Sequence, residues 1–298
     1  MLETVSCNLC SADDAAPVME IEGLQIVRCR QCGLLYVSPR HQEETLRQIY
    51  TEDYYDHDGI TDGREFYGYD DYVRDEENIR ITFAKRLGTI ERFSNKGRLL
   101  DVGCATGFFL DLARGEGWEV IGTEVSQFGV RFAREQFGLD VRLGTLRELR
   151  FAAQAFDVVT MWDVIEHVLD PMAELQEVNR ILRPGGLLSI ITPDAGSLMA
   201  RFLGRRWEEF RRVREHVYFF SKRTLGEMLH KASFEVVRTE SADKVFYLGP
   251  AIQRLKYYAW DGRLTNAAAR LVRRLGLATV RVNINPFTKM TVYARKQG

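Results

Sequence analysis

Four of the five cysteines fall in two pairs, Cys7 with Cys10 (CNLC) and Cys29 with Cys32 (CRQC), 18 residues apart. Each C-x2-C pair places two thiolates on one tight turn, and two such turns can close on a single tetrahedral zinc ion. Two disulfides or four free thiols are the other readings, and disulfides fit poorly with a chain that reads as cytoplasmic. Four thiolates fill the coordination shell, so the zinc expected here is structural, with no position left for water or substrate. The segment between the pairs, MEIEGLQIVRC, alternates apolar and polar residues around Gly23, which predicts the short hairpin of a zinc ribbon.

A second group lies in the middle of the chain: Asp101-Val102-Gly103-Cys104-Ala105-Thr106-Gly107, then Glu124, 23 residues after Asp101. Glycines let a backbone approach a ligand closely, and a following helix offers free N–H groups. The loop does not satisfy G-x-G-x-x-G, which argues against a dinucleotide and its pyrophosphate. A carboxylate at position 124 can accept the hydroxyls of a ribose, and the pair of features points to an adenosine-containing ligand. The alternative for Glu124 is a surface acid at a strand end.

These residues need a scaffold, and the pattern around them alternates strand and helix. RLLDVG, WEVIGTE, a weak strand near DVRLG, FDVVTMW and LLSIITP read as strands. Helices fall between them: one opens from CATGFFLDLARGEG, one runs from Ser126 to a stop at Gly138, and one starts at Asp170 and Pro171. RPGG is expected to turn the chain into LLSIITP. The expected fold is α/β, with a doubly wound, mostly parallel sheet. Ligands in such sheets bind beyond the carboxyl ends of the strands, where the loop and Glu124 lie. Upstream, Ile79, Phe83, Leu87, Ile90 and Phe93 form the stripe of an amphipathic helix stopped by Asn95–Gly97. Residues 50–77 hold Tyr50, Tyr54, Tyr55, Tyr67, Tyr69 and Tyr72 among eleven acidic residues, with Arg64 and Arg74. That stretch reads as a solvated connector or as a lid. The expected organisation is a ribbon over 1–40, a connector and helix over 41–97, and a core over 98–298 with insertions at about 195–215 and 241–287.

Composition sets outer bounds. The chain has 298 residues, 45% hydrophobic and 28% charged, with 24 Gly and 7 Pro, which is ordinary globular usage. It has no apolar run of transmembrane length and no secretory signal at its start, so a cytoplasmic protein is expected. Net charge is −1, but residues 1–97 carry −8, residues 98–194 carry −6 and residues 195–298 carry +13. The balanced total argues against general nucleic-acid affinity, while the basic last third could meet an anionic partner.

LLDVGCATGFFL, VIGTEVS, FDVVTMWDVIEHVLDP, ILRPGGLLSIITP and EHVYFFSKRTLGEMLHKASFEVV, from Leu99 to Val237, resemble the class I S-adenosylmethionine-dependent methyltransferases. The likeness is to the small-molecule branch related to quinone-biosynthesis enzymes. The ribbon followed by GLLYVSPR is similar to sugar- and polysaccharide-modifying members. The resemblance implies a seven-stranded Rossmann-like methyltransferase sheet with S-adenosylmethionine as cofactor. It assigns Gly103, Cys104, Ala105 and Gly107 to the methionine end, Asp101 to the amino group and Glu124 to the ribose, with Val125 also among the cofactor-binding residues. Thr145 and Leu146 stand where the family contacts adenine, and Trp162 where it approaches the cofactor. Two positions depart from the family pattern. Ala105 replaces a common glycine and needs a negative φ to be tolerated, and Thr145 replaces an aspartate that often reads the adenine amine.

Methyl transfer is an in-line displacement that needs alignment and exclusion of water, and a hydroxyl acceptor usually needs a base. Asp163, Glu166 and His167 follow Trp162, and His216 follows the first insertion. The two histidines are the candidate catalytic bases; each could instead brace the scaffold. Arg201, Arg205, Arg206, Arg211, Arg212 and Arg214 form a solvated helix face or recruit an anionic acceptor such as a nucleotide-linked sugar or phosphorylated carrier. YYAWDGRLTNAAARLVRRLG reads as a basic amphipathic helix that could cover the site, pair with a second copy or rest on a membrane surface. The leading expectation is methylation of a small molecule, a sugar or related hydroxyl compound. A zinc-ribbon ribosomal-RNA methyltransferase and a non-catalytic cofactor-binding scaffold are the competing readings.

Overall fold

The computed structural model describes residues 2–43, 45, 72–73, 75–254, 262–285 and 287–297. Of the connector's tyrosines, arginines and acids, Tyr72, Asp75, Glu76 and Glu77 fall among them; Tyr50, Tyr54, Tyr55, Tyr67, Tyr69, Arg64, Arg74 and the other eight acids lie outside the described residues.

The N-terminal part is built from β1 (Leu2–Glu3), β2 (Ala15–Ile21), β3 (Leu24–Cys29), β4 (Leu35–Val37) and β5 (Arg40–His41). β2 and β3 form the expected hairpin around Glu22 and Gly23. Period-2 alternation gives β3 and β4 two apolar faces. Leu24, Ile26, Leu35 and Val37 pack against Trp207, Phe210 and Phe219. Val27, Cys29 and Tyr36 face the other way, into one core with Leu100, Ile190 and Met228.

The α/β part runs α1 (Glu76–Ile90), β6 (Arg98–Val102), α2 (Phe108–Gly115), β7 (Glu119–Glu124), α3 (Gln127–Phe137), β8 (Val141–Leu143), α4 (Leu146–Leu149) and β9 (Phe156–Trp162). It continues through α5 (Pro171–Ile181), β10 (Leu182–Pro193), α6 (Leu198–Leu203), α7 (Glu208–Arg211), β11 (Tyr218–Phe219), α8 (Lys222–Lys231) and β12 (Phe234–Ser241). β13 (Lys244–Tyr247), α9 (Leu248–Arg254), α10 (Gly262–Arg274), β14 (Arg281–Ile284) and β15 (Lys289–Lys296) follow. The seven-stranded sheet has the order β12-β15-β10-β9-β6-β7-β8, and β15 alone runs antiparallel to its neighbours. Phe156, Val158, Val159, Thr160 and Met161 of β9 are all buried, as expected for a strand covered on both faces.

Ser126 occupies the N-cap position of α3, but its side chain makes no capping hydrogen bond; the start of α5 follows the expected chemistry. Asp170 caps α5 by accepting from Ala173 N at 3.1 Å, with Pro171 in the first turn. The turn expected at RPGG is absent as such. β10 already begins at Leu182, and the pairing with β9 shifts register between Leu182 and Leu187. Gly185 and Gly186 absorb the irregularity without ending the strand.

A strand pairing binds the two parts together. β11 pairs with β4, so a strand from the α/β part completes the sheet β11-β4-β3-β2. The second insertion folds as an antiparallel β13–β14 pair with α9 and α10 between the two strands in the chain, and β13 packs on α1. No helix among the described residues is long and apolar enough to cross a membrane.

Candidate functional site

A cavity of about 850 Å³ opens at the carboxyl ends of β6, β7 and β9. Its floor is the loop after β6. Gly103 has φ +70, and a Cβ there would come within 2.6 Å of the Val164 side chain. Gly107 has φ +84 and starts α2 with Ala133 and Leu139 packed against it. Asp101, Gly103, Cys104, Ala105, Glu124, Val125, Thr145, Leu146 and Trp162 line the cavity, whereas Gly107 does not and serves the packing of α2 and α3.

Ala105 corrects an expectation. Its φ is +51, in the left-handed region that costs a side-chain-bearing residue. The conformation is held by Glu124, whose Oε2 accepts from Ala105 N at 2.8 Å. Glu124 Oε1 accepts from Val125 N and Ser126 N, each at 2.8 Å. A carboxylate read as a ribose ligand thus also organises the loop that faces it. Asp101 is 5% exposed and accepts from Thr160 Oγ1 at 2.6 Å. Burial, reinforced by Glu124, pushes its carboxyl up to about 7. Thr145 caps α4 in a reciprocal capping box with Glu148.

Trp162 forms an aromatic wall with Phe109 (ring centroids 4.3 Å apart) and Phe83 (5.4 Å), its Nε1 donating to Ser189 Oγ at 3.1 Å. Arg86 lies over the Trp162 ring at 5.2 Å. Tyr72 stacks on Phe108 with ring centroids 5.5 Å apart and reaches the cavity wall.

Beyond Trp162 the wall becomes strongly ionic. Asp163 has φ +56 and pairs with Lys289 at 2.7 Å. Burial alone would raise its carboxyl, but Lys289 holds it below the ordinary value. His167 lines the cavity, and its Nδ1 lies 3.0 Å from Glu215 O. A carbonyl only accepts, so Nδ1 carries the proton and Nε2 the lone pair. Burial depresses His167 to about 4, which keeps it neutral at pH 7.

His216 is 1% exposed and lies off the wall, edge-on to His167 with ring centroids 4.6 Å apart. Burial, with Arg212 and His167 beside it, drives its pKa well below the ordinary value. Glu166 receives Thr192 Oγ1 at 2.9 Å and is pushed up to about 8 by burial and Asp163. Among the described residues, Glu166 Oε1, Glu209 Oε2 and both His216 ring nitrogens are buried without a hydrogen-bond partner, although His216 Nδ1 lies 3.5 Å from Glu209 Oε2. Glu166, His167 and His216 each bring one donor atom within 4.8 Å of the others.

The arginine-rich insertion is split in purpose. Arg212 lines the cavity and donates to Glu215 Oε1 at 2.6 Å, with Glu208 and Glu209 beside it. Arg201, Arg205 and Arg206 do not line it. Arg205 donates to Glu20 O at 2.8 Å and Arg214 pairs with Glu22 at 2.6 Å, so these two hold the N-terminal hairpin. Lys244, Phe246 and Lys289, which no local sequence signal marks, also line the cavity.

The cysteines converge. Sγ atoms of Cys7 and Cys32, and of Cys10 and Cys29, lie 3.4 Å apart, and all four fall within 4.8 Å of one another. A tetrahedron with zinc–sulfur bonds of about 2.3 Å has edges of about 3.8 Å, so the donor set fits that ion. Burial pushes the Cys7 thiol up. Burial would raise Cys29 too, but the backbone N–H groups of Cys32 and Gln31 and the Cys10 thiol bring it down to about 7.

A family model described as a methyltransferase domain matches residues 74–239. The ubiquinone biosynthesis O-methyltransferase of Ruegeria pomeroyi is 34% identical over 178 residues, 56% of this chain and 70% of that protein. Its namesake from Cereibacter sphaeroides is 36% identical over 144 residues, 46% of this chain and 57% of that protein, so this match spans little more than half of the relative. Among solved structures, a chain of the Haloferax volcanii complex between the Trm112 methyltransferase activator and a methyltransferase aligns with TM-score 0.53 at 18% identity, covering 76% of this chain and 93% of that one. A Bacillus halodurans methyltransferase structure aligns with TM-score 0.50 at 15% identity, covering 72% and 99%. At these identities the likeness to the two structures shows the fold alone.

Proposed function

The chain belongs to the class I S-adenosylmethionine-dependent methyltransferases, and on that footing we propose that it O-methylates a small hydroxyl compound, a sugar or a close relative, with a structural zinc ion held by Cys7, Cys10, Cys29 and Cys32. The observation that carries the reading is one cavity lined both by the β6 loop and by His167, Arg212, Lys244 and Lys289. The O-methyltransferase names of the relatives support the choice of oxygen. The ribbon and GLLYVSPR support the sugar.

Bound S-adenosylmethionine supplies a methyl group activated by its sulfonium. Asp101 and the Gly103–Ala105 backbone hold the methionine end, Glu124 and Val125 the ribose, and Thr145 and Leu146 the adenine. Trp162 and Phe83 keep water from the transfer line. His167, neutral and fixed in one tautomer by Glu215 O, takes the acceptor's hydroxyl proton at Nε2. His216, off the wall, holds the His167 ring edge-on. Arg212, Lys244 and Lys289, rather than Arg205 and Arg206, face an anionic group on the acceptor.

A screen with labelled cofactor against nucleotide sugars, quinone precursors and RNA tests the reading. Transfer to a sugar hydroxyl is expected, and transfer to RNA alone would overturn it. Once an acceptor is found, His167→Gln should lower kcat by about 10²–10⁴ and leave cofactor affinity in place.

A further inference from the structure

From Gly262 to the last residue the chain carries eight basic residues and no acidic one. This stretch opens with α10, outside the residues matched by the methyltransferase family. Thr265 and Ala269, 3% and 2% exposed, fix which side of α10 faces the protein. Leu264, Ala268, Leu271 and Leu275 recur at i, i+4, i+7 and i+11, a stripe turned by about 100° from that buried side. The three leucines of the stripe are 65%, 57% and 61% exposed, and Leu277 and Val280 in the following turn stay exposed as well.

Further round the helix come Arg263 and Arg274, then Arg270 and Arg273, all exposed. Among the described residues Arg270, Arg273 and Arg274 make no ion pair. The helix leaves its leucines in water and places its arginines along one flank of them.

We propose that this face of α10 docks on an anionic phospholipid bilayer. Leucines at this spacing sink into the headgroup–acyl boundary, while arginines beside them reach phosphate groups. Charge decides against the alternatives. A second copy set face to face would bring one arginine flank against another with no acid in the segment to offset it. A nucleic acid would use the arginines and leave the leucine stripe exposed.

The test is co-sedimentation of the full chain with vesicles of phosphatidylcholine mixed with phosphatidylglycerol, and with phosphatidylcholine alone. Binding to the mixed vesicles, weakened by salt, is expected. Leu271→Ser with Leu275→Ser should weaken it at least tenfold. Arg273→Gln with Arg274→Gln should weaken it by about thirtyfold, at roughly a tenfold change per 1.4 kcal/mol and about 1 kcal/mol per arginine. Both variants should keep the wild-type thermal midpoint and cofactor affinity, since α10 contributes nothing to the cavity wall. No binding, equal binding to phosphatidylcholine alone, or unchanged binding by the leucine variant would overturn the proposal. So would a concentration-dependent dimer, formed without vesicles and lost in the leucine variant, which would assign the face to self-association.

Discussion

Ala105 and Asp101 are the two residues where the site departs from ordinary protein chemistry, and both departures can be measured. Ala105 holds φ +51 because Glu124 grips its N–H. Ala105→Gly relieves about 1–2 kcal/mol of left-handed strain and gives back about 0.4–1 kcal/mol through a freer unfolded chain. A net gain of about 0.5–1 kcal/mol in chemical denaturation is expected, with cofactor affinity retained. Ala105→Val, β-branched in the same conformation, should lose both stability and affinity. Asp101 is pushed up to about 7 by burial, so it is only part-ionised near neutrality. A cationic ligand prefers the carboxylate. Cofactor binding should therefore weaken by about tenfold as pH falls from roughly one unit above 7 to one unit below it. Asp101→Asn should flatten that profile in calorimetry. The apo protein runs the opposite way: a raised carboxyl favours folding at low pH, and that contribution fades as pH rises from the ordinary carboxylate range through 7.

At the scale of elements, the N-terminal knuckle reaches the cavity through one side chain. Asn8, between Cys7 and Cys10, donates to Asp170 Oδ1 at 2.9 Å and accepts from Met172 N at 2.8 Å, clamping the first turn of α5. Val168, Leu169 and Asp170, just before that helix, line the cavity. Asn8→Ala removes two hydrogen bonds and should cost about 1–2 kcal/mol, with a modest rise in the cofactor Kd as the wall loosens. Asn8→Asp, which sets a second carboxylate against Asp170, should cost more; equal losses would mean the clamp is only packing. The strands and helices of the core were legible because propensity, caps and hydrophobic period agree in them, as in FDVVTMW and the Asp170–Pro171 start. RPGG misled because glycines that usually turn a chain here absorb a register shift inside a strand. The β6-loop side of the cavity was legible because it sits on one loop and one strand end. Lys244, Phe246 and Lys289 were not, since they reach the cavity only through the packing of β13 on α1 and of β15 in the sheet. The positive φ of Ala105 depends on a carboxylate 19 residues away, and no local pattern reports it.

On the scale of the whole molecule, the ribbon and the α/β part share one apolar core. Cys7, Leu9 and Cys29 pack in the same cluster as Leu100, Ile190 and Phe234. A zinc ion on these cysteines would be tied to that core, so its removal should lower the stability of the entire chain in a single transition, not melt a detached module. Calorimetry with and without a chelator checks this; two separate transitions, or an unmoved midpoint, would count against it. Arg223, donating to Cys32 O at 2.6 Å, and Lys231, donating to Leu9 O at 2.8 Å, tie α8 to both knuckles. β11 closes the sheet that carries the cysteine hairpin. On the ribosome these partners emerge long after the cysteines they hold. The cysteine segment thus waits for partners made much later, and the nascent chain carries bare thiols and an open strand edge until β11 and α8 have been made. A product cut short of Tyr218 would keep that edge open for good, leaving it to proteases or to aggregation.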